Sequence, residues 1–79
     1  MHHLAESAGR RAGIAAALVD LAEHRLCSAD VLRDQAAASA SAWLDHTEPF
    51  SAAAGTVHAA YVTAYQAGYV WTWRLEHHR

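Results

Sequence analysis

The chain of 79 residues carries seven histidines, at positions 2, 3, 24, 46, 58, 77 and 78. Helical metal sites need His or carboxylate pairs at i, i+3 or i+4, because only those side chains converge on one ion. Asp20 and His24 have that spacing. No two histidines do, and no Glu-x-x-His motif of the di-iron kind is present. His24, His46 and His58 can therefore meet only through tertiary packing, and they are the candidate metal ligands. His58, set among aromatic residues, is the candidate axial ligand of a haem. The bland alternative is surface histidines plus a His58 that hydrogen-bonds within a bundle. No cofactor is predicted; a metal or haem stands as the alternative. At the chain start, Met1-His2-His3 places an imidazole third from a free amine, an arrangement that wraps Cu(II) or Ni(II) in a square plane. Leu75-Glu76-His77-His78-Arg79 has the look of a tag remnant, so neither end carries weight.

Nucleophilic chemistry finds little footing. Cys27 falls near a helix start, where the dipole lowers a thiol pKa, yet a small buried hydrophobe is the simpler role. No serine lies in a Gly-x-Ser-x-Gly turn. Gly9, Gly13, Gly55 and Gly68 are scattered inside helical segments and form no phosphate-cradling loop. Asp45 and Glu48 flank a turn as solvated caps. Arg10-Arg11 is the one basic doublet on a chain with no lysine and a formal charge of −2. A recognition helix over 29–45 would present Asp30, Asp34 and Asp45 to phosphates, so nucleic acid is excluded as a partner.

The elements that would hold such residues must be built from alanine. Of the 53% hydrophobic residues, 20 are Ala, while Leu, Ile, Val and Phe together number 14. Alanine favours helix but buries little area. A chain this short is one domain, 1–79, with little core of its own. One cysteine closes no disulfide and no Cys/His zinc framework, and a lone thiol fits a reducing cytoplasm. Abundant Ala and Arg, with no Lys or Asn, match a GC-rich bacterial source. Met1–Glu6 lacks the basic and apolar runs of a signal peptide. Pro49–Trp73 holds no Asp, Glu, Lys or Arg over 25 residues, but its His, Gln, Thr, Ser and Ala keep its hydropathy too low for a membrane span.

The spacing predicts three helices, over about 4–26, 29–45 and 49–76. In the first, Ala5, Ala8, Ala12, Ala15, Val19, Ala22 and Leu26 make a stripe of three- and four-residue steps, widened by Ile14, Leu18 and Leu21. It is mostly methyl groups, so a neighbour can approach closely. Glu6 and Arg10 form an outer i, i+4 pair. Ser28 is the N-cap of the second helix, with Asp30 at its positive end. Its apolar line is Leu32, Ala36, Ala40 and Trp43, with Val31 and Leu44 alongside. His46–Pro49 breaks the chain, with Thr47 as the next cap.

The third helix is apolar nearly all round. Phe50, Ala54, Val57, Tyr61, Ala64, Gly68, Trp71 and Leu75 form a seam of period 3.5. Val62, Tyr65, Tyr69 and Trp73 lie on another side. Such a helix is normally buried all round, and two short Ala-rich helices look insufficient to cover it. Its end, with Tyr69, Trp71 and Trp73, is expected to overhang and meet a partner. The small residues Thr56, Ala60, Ala64, Gly68 and Thr72, four apart, suit a steep close crossing.

Leu21-Ala-Glu-His-Arg-Leu-Cys-Ser-Ala-Asp-Val-Leu-Arg33 resembles the helix–turn–helix in the N-terminal region of nitrile hydratase β subunits and their accessory proteins. Leu26, Ser28, Asp30 and Arg33 match that pattern. Arg25 stands where the family has Gly, and Cys27 and Ala29 replace its aromatic residues. The likeness covers about a third of the chain. It implies a non-catalytic small subunit of a hetero-oligomeric metalloenzyme whose metal sits in a Cys-rich loop of the other subunit.

These readings converge on an all-α protein, a helical hairpin or open three-helix bundle completed by oligomerisation. The expected function is protein–protein interaction, as a small module or accessory subunit without catalysis of its own. The expected partner is a second copy or a larger chain, and the expected interface anchors are Trp43, Tyr61, Tyr65, Tyr69, Trp71 and Trp73. The alternatives are the nitrile hydratase-like subunit and a His-ligated metal or haem bundle.

Overall fold

Three helices follow one another, α1 (His2–Ala22), α2 (Ala29–Thr47) and α3 (Ala54–His77). The computed structural model describes residues 2–47 and 54–77. The expected start of the third helix at 49 lies outside them. No strand occurs among the described residues, and the protein is an all-α bundle.

The first helix ends four residues before its expected end at Leu26. The Arg25 amide donates to the Asp20 carbonyl (2.8 Å), and the His24 amide to that of Leu21 (3.1 Å). This is a Schellman closure, which requires a left-handed residue just past the helix. His24 supplies it, with φ of 57°. Ser28 then caps α2 as the sequence predicts: its Oγ accepts from the Val31 amide (3.3 Å), and its carbonyl from the Leu32 amide (2.9 Å). α2 continues through Thr47, two residues past its expected end, so Thr47 belongs to α2.

Chain direction follows from the contacts. Gly9 lies on Tyr61, Gly13 on Tyr65, and Asp20 reaches Tyr69, so α1 and α3 run parallel. Ser41 meets His58 and Ser39 meets Tyr61, so α2 runs antiparallel to α3. α3 is the central element: it packs extensively on α1, less on α2, while α1 and α2 scarcely touch.

The close approach of α1 to α3 agrees with the expectation from the small residues, but glycines rather than the alanine stripe make it. Three of the four glycines, Gly9, Gly13 and Gly68, lie on this contact. A Cβ on Gly9 or Gly13 would fall closer than 3.0 Å to the carbonyl oxygen of Tyr61 or Tyr65, and one on Gly68 would lie 2.7 Å from that of Arg10. The absent side chains let the two backbones touch, and each glycine Cα hydrogen points toward a facing carbonyl. The α1 face in use is Ala5, Gly9, Gly13 and Ala17, all buried and four residues apart. The expected alanine stripe holds only in part. Ala5 is buried and Ala8 and Ala12 are half-buried, but Ala15, Val19 and Leu26 are exposed. The expected Glu6–Arg10 pair does not form, since the one ion pair among the described residues joins Arg25 to Glu23.

On α3 the rows four apart replace the 3.5-period seam. Val57, Tyr61, Tyr65 and Tyr69 are buried, and Trp73 packs half-buried against them. Ala64, Gly68 and Thr72 are buried as well, Gly68 against the Arg10 backbone of α1, although Thr56 is exposed. The expected seam holds from Val57 to Gly68 and then turns outward at Trp71 and Leu75. A row of period four drifts about 40° per step on a 3.6-residue helix, so the buried line winds to follow α1. Leu32, Ala36, Ala40 and Leu44 close the core from α2.

Candidate interaction surface

Two tyrosines fasten the outer helices to α3. The Tyr61 hydroxyl shares a 2.6 Å hydrogen bond with Ser39 Oγ of α2, and its ring leans on Trp43 with centroids 5.6 Å apart. The Tyr69 hydroxyl donates to Asp20 Oδ2 of α1 at 2.5 Å and accepts from the Cys27 amide at 3.3 Å. It thus ties the end of α1 and the α1–α2 turn to α3 at one point. Burial, then the bond to Asp20, pushes the Tyr69 phenol far above its ordinary pKa. Tyr65 is also raised, by burial first and then by the nearby Tyr61, Cys27 and Asp20.

The six expected interface anchors therefore divide. Tyr61, Tyr65 and Tyr69 belong to the chain's own core, and Tyr69 is its most enclosed large side chain. Trp43 and Trp73 pack half-buried against that core. Trp71 alone stands out, 56% exposed. The expected overhang of Tyr69, Trp71 and Trp73 is thus reduced to Trp71. The Gly9 and Gly13 contacts bring α1 close against the Tyr61 and Tyr65 backbones.

The histidines are not brought together. His24 sits at the α1–α2 turn, His46 at the far end of α2, and His58 meets Ser41 Oγ at 3.4 Å. Among the described residues, no group of three or more His, Cys, Asp or Glu side chains is placed to hold a metal ion. Cys27 is a half-buried free thiol in the turn, one residue before the cap.

Trp71 stands on the wall of a groove of about 610 Å³ between α1 and the C-terminal half of α3. Arg10, Ile14, Ala67, Gly68, Val70 and Arg74 line it as well. Gly68 serves twice: its missing side chain admits the Arg10 backbone, and the residue lines the groove. Leu18, one turn beyond Ile14, and Leu75 extend the exposed apolar surface. On the other side of Val70 and Arg74 lies a second groove, of about 470 Å³, lined by Leu26, Leu32, Tyr69 and Trp73. The expected interface omits Arg10, Ile14 and Leu18. Their four-residue spacing, one step on from Gly9 and Gly13, is the signal that places them beside the α1–α3 contact.

Residues 21–33, which carry the nitrile hydratase resemblance, form the end of α1, the turn and the first turn of α2. Comparison with protein families, curated proteins and solved structures finds no match. No helix among the described residues is long and apolar enough to cross a membrane.

Proposed function

We propose that the chain is a small helical docking module, an adaptor or accessory subunit that packs the α1/α3 groove against another chain. The exposure of Trp71 carries this reading. A chain this poor in large apolar residues encloses its tyrosines, yet it leaves one Trp ring 56% exposed on the wall of an apolar groove. Large exposed apolar surface with a rim of polar groups marks contact sites, and Trp and Arg dominate interface energetics. The groove also has the form used when an amphipathic helix lies between two others. In this role the module needs no reacting group.

The test is site-specific photo-crosslinking in the cells that make the protein. A photoreactive residue at position 71 should give a discrete crosslinked species, whereas one at Ala38, exposed on α2, should not. Equal labelling from both positions, or none from position 71, would contradict the assignment.

A further inference from the structure

We infer that the occupant of the α1/α3 groove is an acidic amphipathic helix from a different protein, with carboxylates along the edges of its apolar stripe. The inference rests on the docking reading and adds the chemistry of the partner.

Charge is the first argument. Arg10 and Arg74 line the groove, and no Asp or Glu does. Among the described residues neither arginine makes an ion pair, and Glu6, one turn before Arg10, does not reach it. Two guanidiniums with no carboxylate partner among the described residues thus line an apolar trough on a chain whose formal charge is −2. Guanidinium groups bind carboxylates in a planar, two-pronged geometry, so each arginine can fix one acidic residue of an incoming helix.

Shape is the second. Arg10 and Ile14 form the α1 wall, one turn or about 6 Å long, and the α3 wall runs from Ala67 to Arg74, about 10 Å at 1.5 Å per residue. A concave trough of that length seats about two turns of helix, whereas a flat lipid surface would meet only its rims.

A second copy fits poorly. A two-fold interface sets the same patch against itself, which would bring four guanidiniums together with no carboxylate in the groove. The acidic face of α2 offers Asp30, Asp34 and Asp45, but Val31 is the one large apolar side chain exposed along that helix. It lacks the anchors that would fill the groove beside Trp71.

The test uses the full chain and two synthetic helical peptides of about 18 residues. They share one Leu/Trp stripe, bordered by Glu in one and by Lys in the other. Calorimetric titration should show the Glu-bordered peptide binding at least about ten-fold tighter. The exposed double variant Arg10→Glu/Arg74→Glu should reverse that order. If this variant loses its helical circular dichroism, Arg10→Gln/Arg74→Gln replaces it and should abolish the preference. Equal binding of both peptides, lost in Trp71→Ala, would overturn the acidic partner and leave the docking reading standing. Dimerisation of the chain alone, lost in Trp71→Ala, would do the same and make a second copy the occupant. Binding to phosphatidylserine vesicles with no peptide bound would overturn the acidic helix in favour of an anionic membrane. Failure to bind either peptide or vesicles, with the chain monomeric, would overturn both readings.

Discussion

The Tyr69 hydroxyl donates a 2.5 Å hydrogen bond to the Asp20 carboxylate across the α1–α3 interface, 49 residues apart in sequence. The same oxygen accepts from the Cys27 amide, so one side chain joins α1, the turn and α3. Tyr69→Phe keeps the ring and removes the joint. It should cost about 1.5–3 kcal/mol of unfolding free energy, the range for a hydrogen bond to a charged group. A double-mutant cycle with Asp20→Ala, read by urea unfolding, should return a coupling of at least about 0.5 kcal/mol. Additive effects would mean that the two groups act independently.

Alkaline pH should weaken the fold. Unfolded, both Tyr65 and Tyr69 ionise near 10.0; folded, burial holds their protons to higher pH. Their contribution is fully present below pH 10. Above it the unfolded chain binds fewer protons than the folded one, and stability falls. The slope is about 1.4 kcal/mol per pH unit for each tyrosine until its folded pKa is reached. Urea midpoints measured from about pH 8 to about pH 11 should be level at first and then drop. Tyr69→Phe should make the drop shallower.

The glycines should respond in opposite directions to one substitution. Gly→Ala in an exposed helix stabilises by up to about 1 kcal/mol. Gly55 has open space around it, and Gly55→Ala should follow that rule. At Gly13 the new methyl meets the Tyr65 backbone, which no side-chain rotation can move aside. Gly13→Ala should therefore destabilise by about 1–3 kcal/mol as the helices are forced apart. Thermal unfolding of the two variants side by side reads the sign directly.

His24 holds a left-handed backbone that a side chain disfavours by about 1–2 kcal/mol. His24→Gly should raise stability by about 1 kcal/mol and leave the helical dichroism unchanged. A loss of stability would mean that the imidazole makes a contact outweighing the strain.

Much of the architecture is legible in the residue order, because helix periodicity and caps are local. Ser28 caps α2, and Leu32, Ala36 and Ala40 face the core, as their spacing requires. The α1–α3 contact is less legible. Ala5, Gly9, Gly13 and Ala17 form a row four apart, but in a chain with 20 alanines many rows of small residues compete. Only the facing Tyr61 and Tyr65 backbones decide between them. The site suffers from the same ambiguity. Tyr61, Tyr69 and Trp71 are all large aromatics on one helix, and nothing local separates the two that reach polar partners on other helices from the one left in solvent. Hydroxyl groups that find Ser39 and Asp20 go inside.

That division predicts different outcomes for the aromatic residues. Tyr61→Ala should cost about 3–5 kcal/mol, the range for deleting a large buried ring. Trp71→Ala should change stability by no more than about 0.5 kcal/mol, as for a surface site. Chemical denaturation of the two variants checks the split. A large loss in Trp71→Ala would make that ring part of the core.

The most direct measurement is a nitrogen-15 NMR titration of the full chain with the Glu-bordered amphipathic peptide. Amide shifts confined to Arg10–Leu18 and Ala67–Leu75 are the predicted result. Shifts centred on the outer face of α2, around Asp34 and Ala38, or none at saturating peptide, would contradict a docking groove between α1 and α3.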